Sequence, residues 1–291
     1  MAGKTRIGIG ALIHYTAPGG NAVAAANMRT SVAGTGAARG GCMAGSGRRK
    51  RILKWIGLLG LCALAFEAYT RYPANPEIEL LNFAADTRSV VLLFHGTRGR
   101  DEPYLTEIGR RFKTAAEPQT AVRKYIWSPY SDNQFRASSH ALVIGAALGK
   151  ELAELTNLEN IRLVAHSAGA YILDPLCEAY KSSAASPAKI EMTLIDPIGI
   201  KGAWDFGYGY RNHGRCADFA AAYINTNDPT PGTNAPLQNA YNFDVTAADG
   251  HEEFPDGGHR WPLKYYLDRL TRADLQFGVR SHTNFPRGRT D

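Results

Sequence analysis

A serine lies between small residues in the segment Ala165-His166-Ser167-Ala168-Gly169, directly after an apolar run and before a helical pattern. This is the G-x-S-x-G pattern with Ala165 in the first glycine position. A nucleophilic serine in this pattern occupies a tight, strained turn between a strand and a helix, where larger neighbours would collide with nearby backbone. We therefore predict Ser167 as a nucleophile; the alternative is a serine that only caps the helix.

A nucleophilic serine needs a base, and in this strand–turn–helix arrangement the base is a histidine late in the chain. His259 follows a Gly-Gly pair and precedes a helix that begins near Pro262. His251 is the competing candidate. We favour His259 because a junction between a loop and a helix positions an imidazole more rigidly. His166, beside the nucleophile, is expected to pack rather than to react.

The acid that orients the imidazole has two candidates. Asp196 ends the apolar run Leu194-Ile195, and Asp228 follows the next predicted strand. Each stands before a proline, so each could instead be an ordinary turn aspartate. The positions alone leave the choice open.

The oxyanion of an acyl-transfer intermediate is commonly held by two backbone N–H groups, one of them directly after the nucleophile. Ala168 supplies that one. His95-Gly96-Thr97 follows the first predicted strand, and Gly96 would let the backbone approach a substrate carbonyl. We predict the amides of Thr97 and Ala168 as donors. The supporting residues of the two turns are predicted to be His95, Gly96, Ala165 and Gly169.

These residues follow short apolar runs that alternate with helical segments, which predicts an α/β domain with a mostly parallel sheet flanked by helices. Because ligands bind at the carboxyl ends of parallel strands, residues that follow strands are the ones expected to meet. Predicted strands span residues 89–94, 122–127, 161–165, 190–195, 219–225 and 241–246. Predicted helices span residues 102–115, 137–155, 168–180 and 262–270.

Residues 90–266 resemble the α/β-hydrolase superfamily, and most closely the pancreatic lipase family. The resemblance rests on His95-Gly96, on the elbow Val164–Ala170, on Leu194-Ile195-Asp196-Pro197 and on His259 ahead of Tyr265-Tyr266. It implies an α/β-hydrolase fold and favours Asp196 as the acid. Thr226-Asn227-Asp228-Pro229 instead resembles the acid segment of fungal triacylglycerol lipases, so Asp228 remains the alternative.

The resemblance implies hydrolysis of a carboxylic ester, in a small molecule or a lipid, without a metal or another cofactor. No long apolar lid is evident, so action on emulsified triglyceride is not implied. Two alternatives remain. The chain could be an inactive binding protein of the same fold, or a thioesterase or acyltransferase that uses the same triad.

A basic run, Arg48–Arg51, precedes the apolar residues 52–66, which end in Ala63-Leu64-Ala65. A positive region, a short apolar region and an A-x-A ending are typical of a secretory signal. We predict export to the periplasm or the extracellular space, with residues 47–70 as a cleaved signal or as an anchor that contacts the membrane through residues 52–70.

The remaining chain divides by composition. We expect a disordered leader over residues 1–46, a hydrolase domain over residues 72–274 and a polar tail over residues 275–291. Met43 opens a segment suited to an exported chain, and we predict it as the true initiator.

The formal net charge of +6 does not indicate nucleic-acid binding. Residues 1–54 carry nine of the 33 lysines and arginines and none of the 27 acidic residues, so the predicted domain is slightly acidic. The domain cysteines, Cys177 and Cys216, could form a disulfide in an exported protein. We favour two buried thiols, because the sequence does not place them within bonding distance.

Overall fold

The computed structural model of this chain describes residues 45–72 and 75–291. Of the leader expected to be disordered over residues 1–46, residues 1–44, including Met43 as initiator, lie outside the described residues, whereas Gly45 and Ser46 belong to the first helix. Six strands form a single sheet, and every neighbouring pair in it is parallel. The prediction of an α/β domain with a parallel sheet is therefore confirmed.

The sheet has the order β2-β1-β3-β4-β5-β6. Its strands are β1 (Ser89–Phe94), β2 (Thr120–Tyr125), β3 (Asn160–His166), β4 (Lys189–Ile195), β5 (Phe219–Ile224) and β6 (Tyr241–Asp244). The helices are α1 (Gly45–Arg71), α2 (Pro103–Ala115), α3 (Ala137–Ala153), α4 (Ala170–Ser183), α5 (Tyr208–Asn212) and α6 (Trp261–Arg269). Because all the strands run the same way, their carboxyl ends share one edge.

Helices cover both faces of the sheet. One apolar cluster joins alternate strand residues such as Leu92, Leu163 and Leu194 to α3 and α4. The other joins the intervening residues, such as Leu93 and Val164, to α2 and α6. Burial on both faces explains why β1 and β5 are almost continuously apolar rather than alternating.

Most element bounds differ from the predictions by one to three residues, and three of these differences have a clear local cause. The strand β2 ends before Trp127, because the Trp127 amide donates to the His95 ring at 3.2 Å instead of to a neighbouring strand. The helix α4 begins at Ala170, because Ser167–Gly169 forms a 3-10 turn first. The strand β6 ends at Asp244, whose carboxylate accepts the Thr246 amide at 3.0 Å in a side-chain turn.

The C-terminal residues, which we expected to form a polar tail, contact the sheet along their length. Phe285 packs against the rings of Phe219 and Tyr241. Farther along, the Asn242 amide donates to the carbonyl of Arg289 at 2.8 Å. The apolar contacts come from a few aromatic residues spaced among polar ones, which is why composition did not reveal them.

The predicted signal segment forms one helix, α1, of 27 residues. Its part from Arg48 to Arg71 is long and apolar enough to cross a membrane by length and composition, and none of its apolar window is buried. The helix exposes apolar side chains, among them Trp55, Leu59 and Leu64.

Cys177 of α4 and Cys216 form a disulfide, so our expectation of two free thiols was wrong. Asp174 explains how the two residues meet. Its buried carboxylate lies one turn before Cys177 and accepts the amides of Gly214 at 2.8 Å and Cys216 at 3.0 Å. The chain before β5 is thereby held against α4, a contact that no local sequence pattern encodes.

Replacing both cysteines by alanine should lower the free energy of unfolding by about 2–4 kcal/mol, because the disulfide closes a loop of 39 residues in the unfolded chain. Urea unfolding of the double variant under oxidising conditions measures this loss. The wild-type protein under reducing conditions serves as the control and should show a similar loss. Equal stability of the oxidised and reduced proteins would contradict the expectation.

Candidate active site

Ser167 occupies the sharp turn that its sequence pattern predicts. It follows β3 directly, opens the 3-10 turn and has a backbone φ of 55°, in the left-handed region that a serine rarely adopts. Its exposed fraction is 3%. A strained backbone at one residue is typical of functional sites, where the surrounding structure holds it in place.

The first strand passes so close to this turn that only glycine fits at two positions. A Cβ on Gly96 would lie 2.7 Å from the Cβ of Ser167, and a Cβ on Gly169 would lie 2.6 Å from the carbonyl oxygen of Phe94. The backbone after β1 therefore runs directly past the Ser167 side chain. This placement suits the predicted oxyanion role of the neighbouring Thr97 amide.

His259 lies beside the Ser167 hydroxyl. Its Nε2 is 2.8 Å from Ser167 Oγ, a normal hydrogen-bond distance. The next residue, Arg260, anchors the loop through two hydrogen bonds to the Glu102 carboxylate, at 2.9 and 3.0 Å. This charged pair fixes the loop of His259 to the start of α2.

Both candidate acids contact the same imidazole nitrogen. His259 Nδ1 is 2.8 Å from Asp196 Oδ2 and 2.9 Å from Asp228 Oδ2. An ionised carboxylate only accepts hydrogen bonds, so the ring proton is assigned to Nδ1 and Nε2 is free to accept from Ser167. The choice that the sequence left open thus has an unexpected outcome, because both carboxylates occupy the position of the acid.

The two carboxylates have unlike surroundings. Asp196 is fully buried, and burial raises its pKa to about 7 even though His259 and the Asn225 amide donate to it. Burial alone would raise the pKa of Asp228 as well, because its exposed fraction is only 3%. Hydrogen bonds from His259, Asp196 and Thr233 outweigh it and hold that pKa well below its usual range. Asp228 therefore carries the negative charge, and Asp196 holds a proton over part of the neutral range.

The pair changes the basicity of the imidazole. Burial alone would lower the pKa of His259, but hydrogen bonds to Asp196 and Asp228 raise it to about 9. The positive form of the ring is thus stabilised, as a base that must accept a proton requires.

Two other histidines near the site, His166 and His251, bond to backbone carbonyls and stack on neighbouring rings. His166 stacks on His259 with ring centroids 4.8 Å apart, and its Nε2 donates to the His259 carbonyl at 3.1 Å. Burial lowers the pKa of His166 to about 3, so it stays neutral. His251, the competing base, instead donates to the Thr246 carbonyl at 2.6 Å and stacks on Trp261. The sequence reasoning missed that His166 positions His259, since nothing in the sequence relates the two rings.

The loop after β1 is held by Trp127, which follows the neighbouring strand β2. His95 accepts the Trp127 amide at 3.2 Å, and its carbonyl accepts the Trp127 indole at 2.8 Å. The Thr97 hydroxyl is buried and has no partner in the described chain. Just beyond it, Arg98 and Arg100 line an open cleft of about 280 Å³ together with Ser128, Pro129 and Asp132.

Asp196, Asp228 and His259 also offer ligand atoms within 4.8 Å of one another, a spacing that a metal ion could bridge. A metal would bind His259 through the Nδ1 lone pair, and the ring proton would then lie on Nε2, facing Ser167. In that tautomer the imidazole cannot accept the Ser167 proton. Metal binding and activation of Ser167 are therefore mutually exclusive at this site.

No protein-family model matches the chain, and no curated protein sequence is similar enough to match it. The resemblance to the pancreatic lipase family therefore stays a prediction.

Gly96→Ala should suppress the reactivity of Ser167 while leaving the fold intact, because the new methyl group would lie 2.7 Å from Ser167 Cβ and displace it. A displacement of about 1 Å is expected to cost about 100-fold in rate. The rate of labelling by a fluorophosphonate probe measures it. Gly109→Ala is the matched control, since its methyl group would meet Leu93 at an ordinary 3.5 Å. Equal labelling of both variants would contradict the close approach.

Proposed function

We propose that this protein is a serine hydrolase that cleaves carboxylic esters, with an α/β-hydrolase fold. The observation that carries the proposal is the contact of 2.8 Å between Ser167 Oγ and His259 Nε2, on a strained turn after a central strand. A nucleophile, a base in hydrogen-bond contact and a carboxylate that orients the base are the signature of activated serines.

The order of these residues along the chain supports the fold assignment. The nucleophile follows β3, the two acids follow β4 and β5, and the histidine follows β6. The order serine, acid, histidine is the one found in α/β-hydrolases, and it differs from the orders in the two other main families of serine triads. A six-stranded parallel sheet covered on both faces is compatible with that fold.

In the first step, the Ser167 hydroxyl attacks the ester carbonyl while His259 Nε2 takes its proton. The carbonyl oxygen becomes an oxyanion, which the amides of Thr97 and Ala168 stabilise. Each such donor contributes roughly 3–4 kcal/mol to transition-state stabilisation in comparable enzymes. The imidazolium then gives its proton to the leaving alcohol, and an acyl-enzyme remains on Ser167.

In the second step, water attacks the acyl-enzyme by the reverse path. His259 takes a proton from water and returns it to Ser167, which releases the carboxylic acid. In both steps the imidazole becomes positive. The charge on Asp228 and the contact to Asp196 stabilise this form without either acid accepting the proton from the ring.

We also propose that the protein is exported. The basic run before the apolar part of α1 supports this, because that order is typical of signals and signal anchors. A disulfide in the domain fits an oxidising compartment as well.

The competing functions differ in what they require of the site. An inactive binding protein has no need for a strained serine within 2.8 Å of a base, and keeping φ positive at Ser167 has a conformational cost. A thioesterase or an acyltransferase would use the same residues. We favour ester hydrolysis because it is the reaction that the family resemblance implies.

The decisive experiment is labelling by a fluorophosphonate probe, together with turnover of p-nitrophenyl esters of increasing chain length. The wild-type protein should be labelled and should hydrolyse at least one of the esters. Ser167→Ala should lose both properties, with turnover reduced by roughly 10⁶-fold as for other triad nucleophiles. Adding a chelator to the wild-type protein should change neither its labelling nor its ester turnover. Labelling that persists in Ser167→Ala would remove this residue from its role.

Either carboxylate alone should orient His259, so Asp196→Asn and Asp228→Asn should each retain most of the orienting effect. The double variant should lose roughly 10⁴-fold in kcat, the loss expected for a triad without its acid. If the free-energy loss of the double variant merely equals the sum of the losses of the two single variants, the two acids do not share the role.

The pH profile gives a second test of the acid pair. Activity needs neutral His259, whose pKa is raised to about 9, so kcat/KM should rise with pH, reach half its maximum near pH 9 and level off above it. Removing one negative neighbour lowers the pKa of the imidazolium, and the midpoint of Asp228→Asn should therefore move towards neutral pH. A midpoint that does not move would show that Asp228 does not act on the ring.

A further inference from the structure

The helix α1 has the surface of a membrane segment. From Ile52 to Phe66 it exposes apolar side chains all around, although Lys54 interrupts the run. A helix that is apolar on every side is stable only inside a protein core or a membrane, and this one has none of its apolar window buried. It therefore needs a surrounding that the described chain does not supply.

The last two turns of α1 are fixed to the domain. The ring of Phe66 packs edge-on against Phe135 at 5.3 Å. Glu67 accepts the Ala203 amide at 2.7 Å, and the carbonyl of Thr70 accepts the Ser139 hydroxyl at 2.6 Å. Thr70 is 1% exposed. The helix is thus joined to the domain by direct contacts and not only through the chain that follows it.

The contacts of α1 lie at the edge of the sheet that carries the candidate active site. Phe135 belongs to the connection after the carboxyl end of β2, and Ala203 to the connection after β4. That second connection also begins beside the nucleophile, where the Ile198 amide donates to the Ser167 carbonyl at 3.3 Å. A membrane that holds α1 would therefore lie on the same side of the domain as Ser167.

Exposed aromatic residues lie in the two connections that hold α1, the one after β2 and the one after β4. We call Phe135, Trp204, Phe206 and Tyr210 the aromatic rim; each of the four is at least half exposed. Trp204 directly follows Ala203, the residue bonded to Glu67. Tryptophan and tyrosine are enriched where a membrane protein meets the boundary between lipid and water. Phe135, in contact with Phe66, and Trp204, next to Ala203, thus continue the apolar surface of α1 onto the domain.

The length of the apolar segment brings the domain close to the bilayer. Fifteen helical residues from Ile52 to Phe66 span about 22 Å, at 1.5 Å per residue, whereas the hydrocarbon core is about 30 Å thick. A short span is accommodated when flanking residues are drawn towards the core. Here the flanking residues at the C-terminal end are the ones attached to the domain, so the rim is drawn to the interface with them.

We propose that α1 is retained as a membrane anchor and seats the aromatic rim in the lipid interface, so that the active site takes ester substrates from the same bilayer. The part about substrates rests on the proposed hydrolase function, and the part about anchoring does not. The substrate class is an acyl ester of a membrane lipid.

Retention of the anchor has structural support at the predicted cleavage site. Ala63-Leu64-Ala65 lies inside α1, which continues for six more residues to Arg71. Amide groups within a continuous helix are bonded to the preceding turn and are not presented as an extended strand. Cleavage after Ala65 would need this helix to unfold locally.

The anchor is tested on the full chain expressed in cells that export it. Intact mass and alkaline extraction of the membrane fraction should show a protein that keeps residues 52–65 and stays with the lipid. A soluble form that begins at Phe66 would overturn the proposal. Fluorophosphonate labelling of the same fractions keeps the two questions separate, because a soluble but labelled protein would refute the anchor and leave the hydrolase function standing.

The seating of the rim is tested with the full chain reconstituted in vesicles of phosphatidylcholine and phosphatidylglycerol that contain a fluorogenic diacyl lipid. The quantity measured is the rate on this lipid divided by the rate on a soluble p-nitrophenyl ester. Trp204→Ser/Phe206→Ser should lower the ratio roughly tenfold, since it removes two apolar groups from the interface. Val279→Ser, which alters an exposed apolar residue near Phe219 at the opposite end of β5, should keep the wild-type ratio. Equal ratios in all three proteins would overturn the proposed seating.

Direct contact with lipid gives a measurement that does not depend on activity. Vesicles with brominated acyl chains should quench the fluorescence of Trp204, while Trp127 and Trp261 are buried in the domain and should stay bright. Trp55 of α1 should be quenched in every variant. Trp204→Phe should therefore lower the quenched share of the emission, and an unchanged share would place the rim away from the bilayer.

Discussion

The hydrogen bond between His259 Nε2 and Ser167 Oγ can form only because four strand ends meet at one edge of a parallel sheet. Ser167, Asp196 and Asp228 each follow a strand that pairs with the next, and His259 comes from the loop after β6. The loop would be free to move without further attachments. The charged pair of Arg260 with Glu102 and the stacking of His166 restrict it. The position of the His259 imidazole relative to the Ser167 hydroxyl thus depends on contacts made by residues that take no part in the proposed reaction.

Two carboxylates lie against one imidazole nitrogen, and the residues around them reduce the repulsion between their charges. Two negative charges this close in a buried site would repel each other strongly. The hydroxyl of Thr233 and the amide of Thr230 stabilise the charge on Asp228, whereas Asp196, with no exposed surface, favours its protonated form. The pair therefore bears fewer than two negative charges at neutral pH and still offers the ring two acceptors. This arrangement favours a base of high pKa.

The same edge of the sheet that assembles the site also carries the attachment of α1. The connections after β2 and β4 serve both purposes, and the second begins with the Ile198 amide on the Ser167 carbonyl. For the proposed membrane-anchored hydrolase, this arrangement means that the fold itself fixes the orientation of the active site to the bilayer. In that proposal, contact with the membrane and access to the nucleophile are linked by geometry.

The sequence by itself determined the order of the strands and helices, the turn at Ser167 and the position of His259 on its loop, because these depend on local patterns of apolar, small and glycine residues. Only the tertiary structure decided that Asp196 and Asp228 act on the same nitrogen, that His166 supports His259, that Cys177 reaches Cys216, and that residues 275–291 pack on the sheet. Each of these contacts joins residues far apart in the chain. Their distances follow from the spatial order of the strands in the sheet, which differs from their order along the chain and is not encoded in any local pattern.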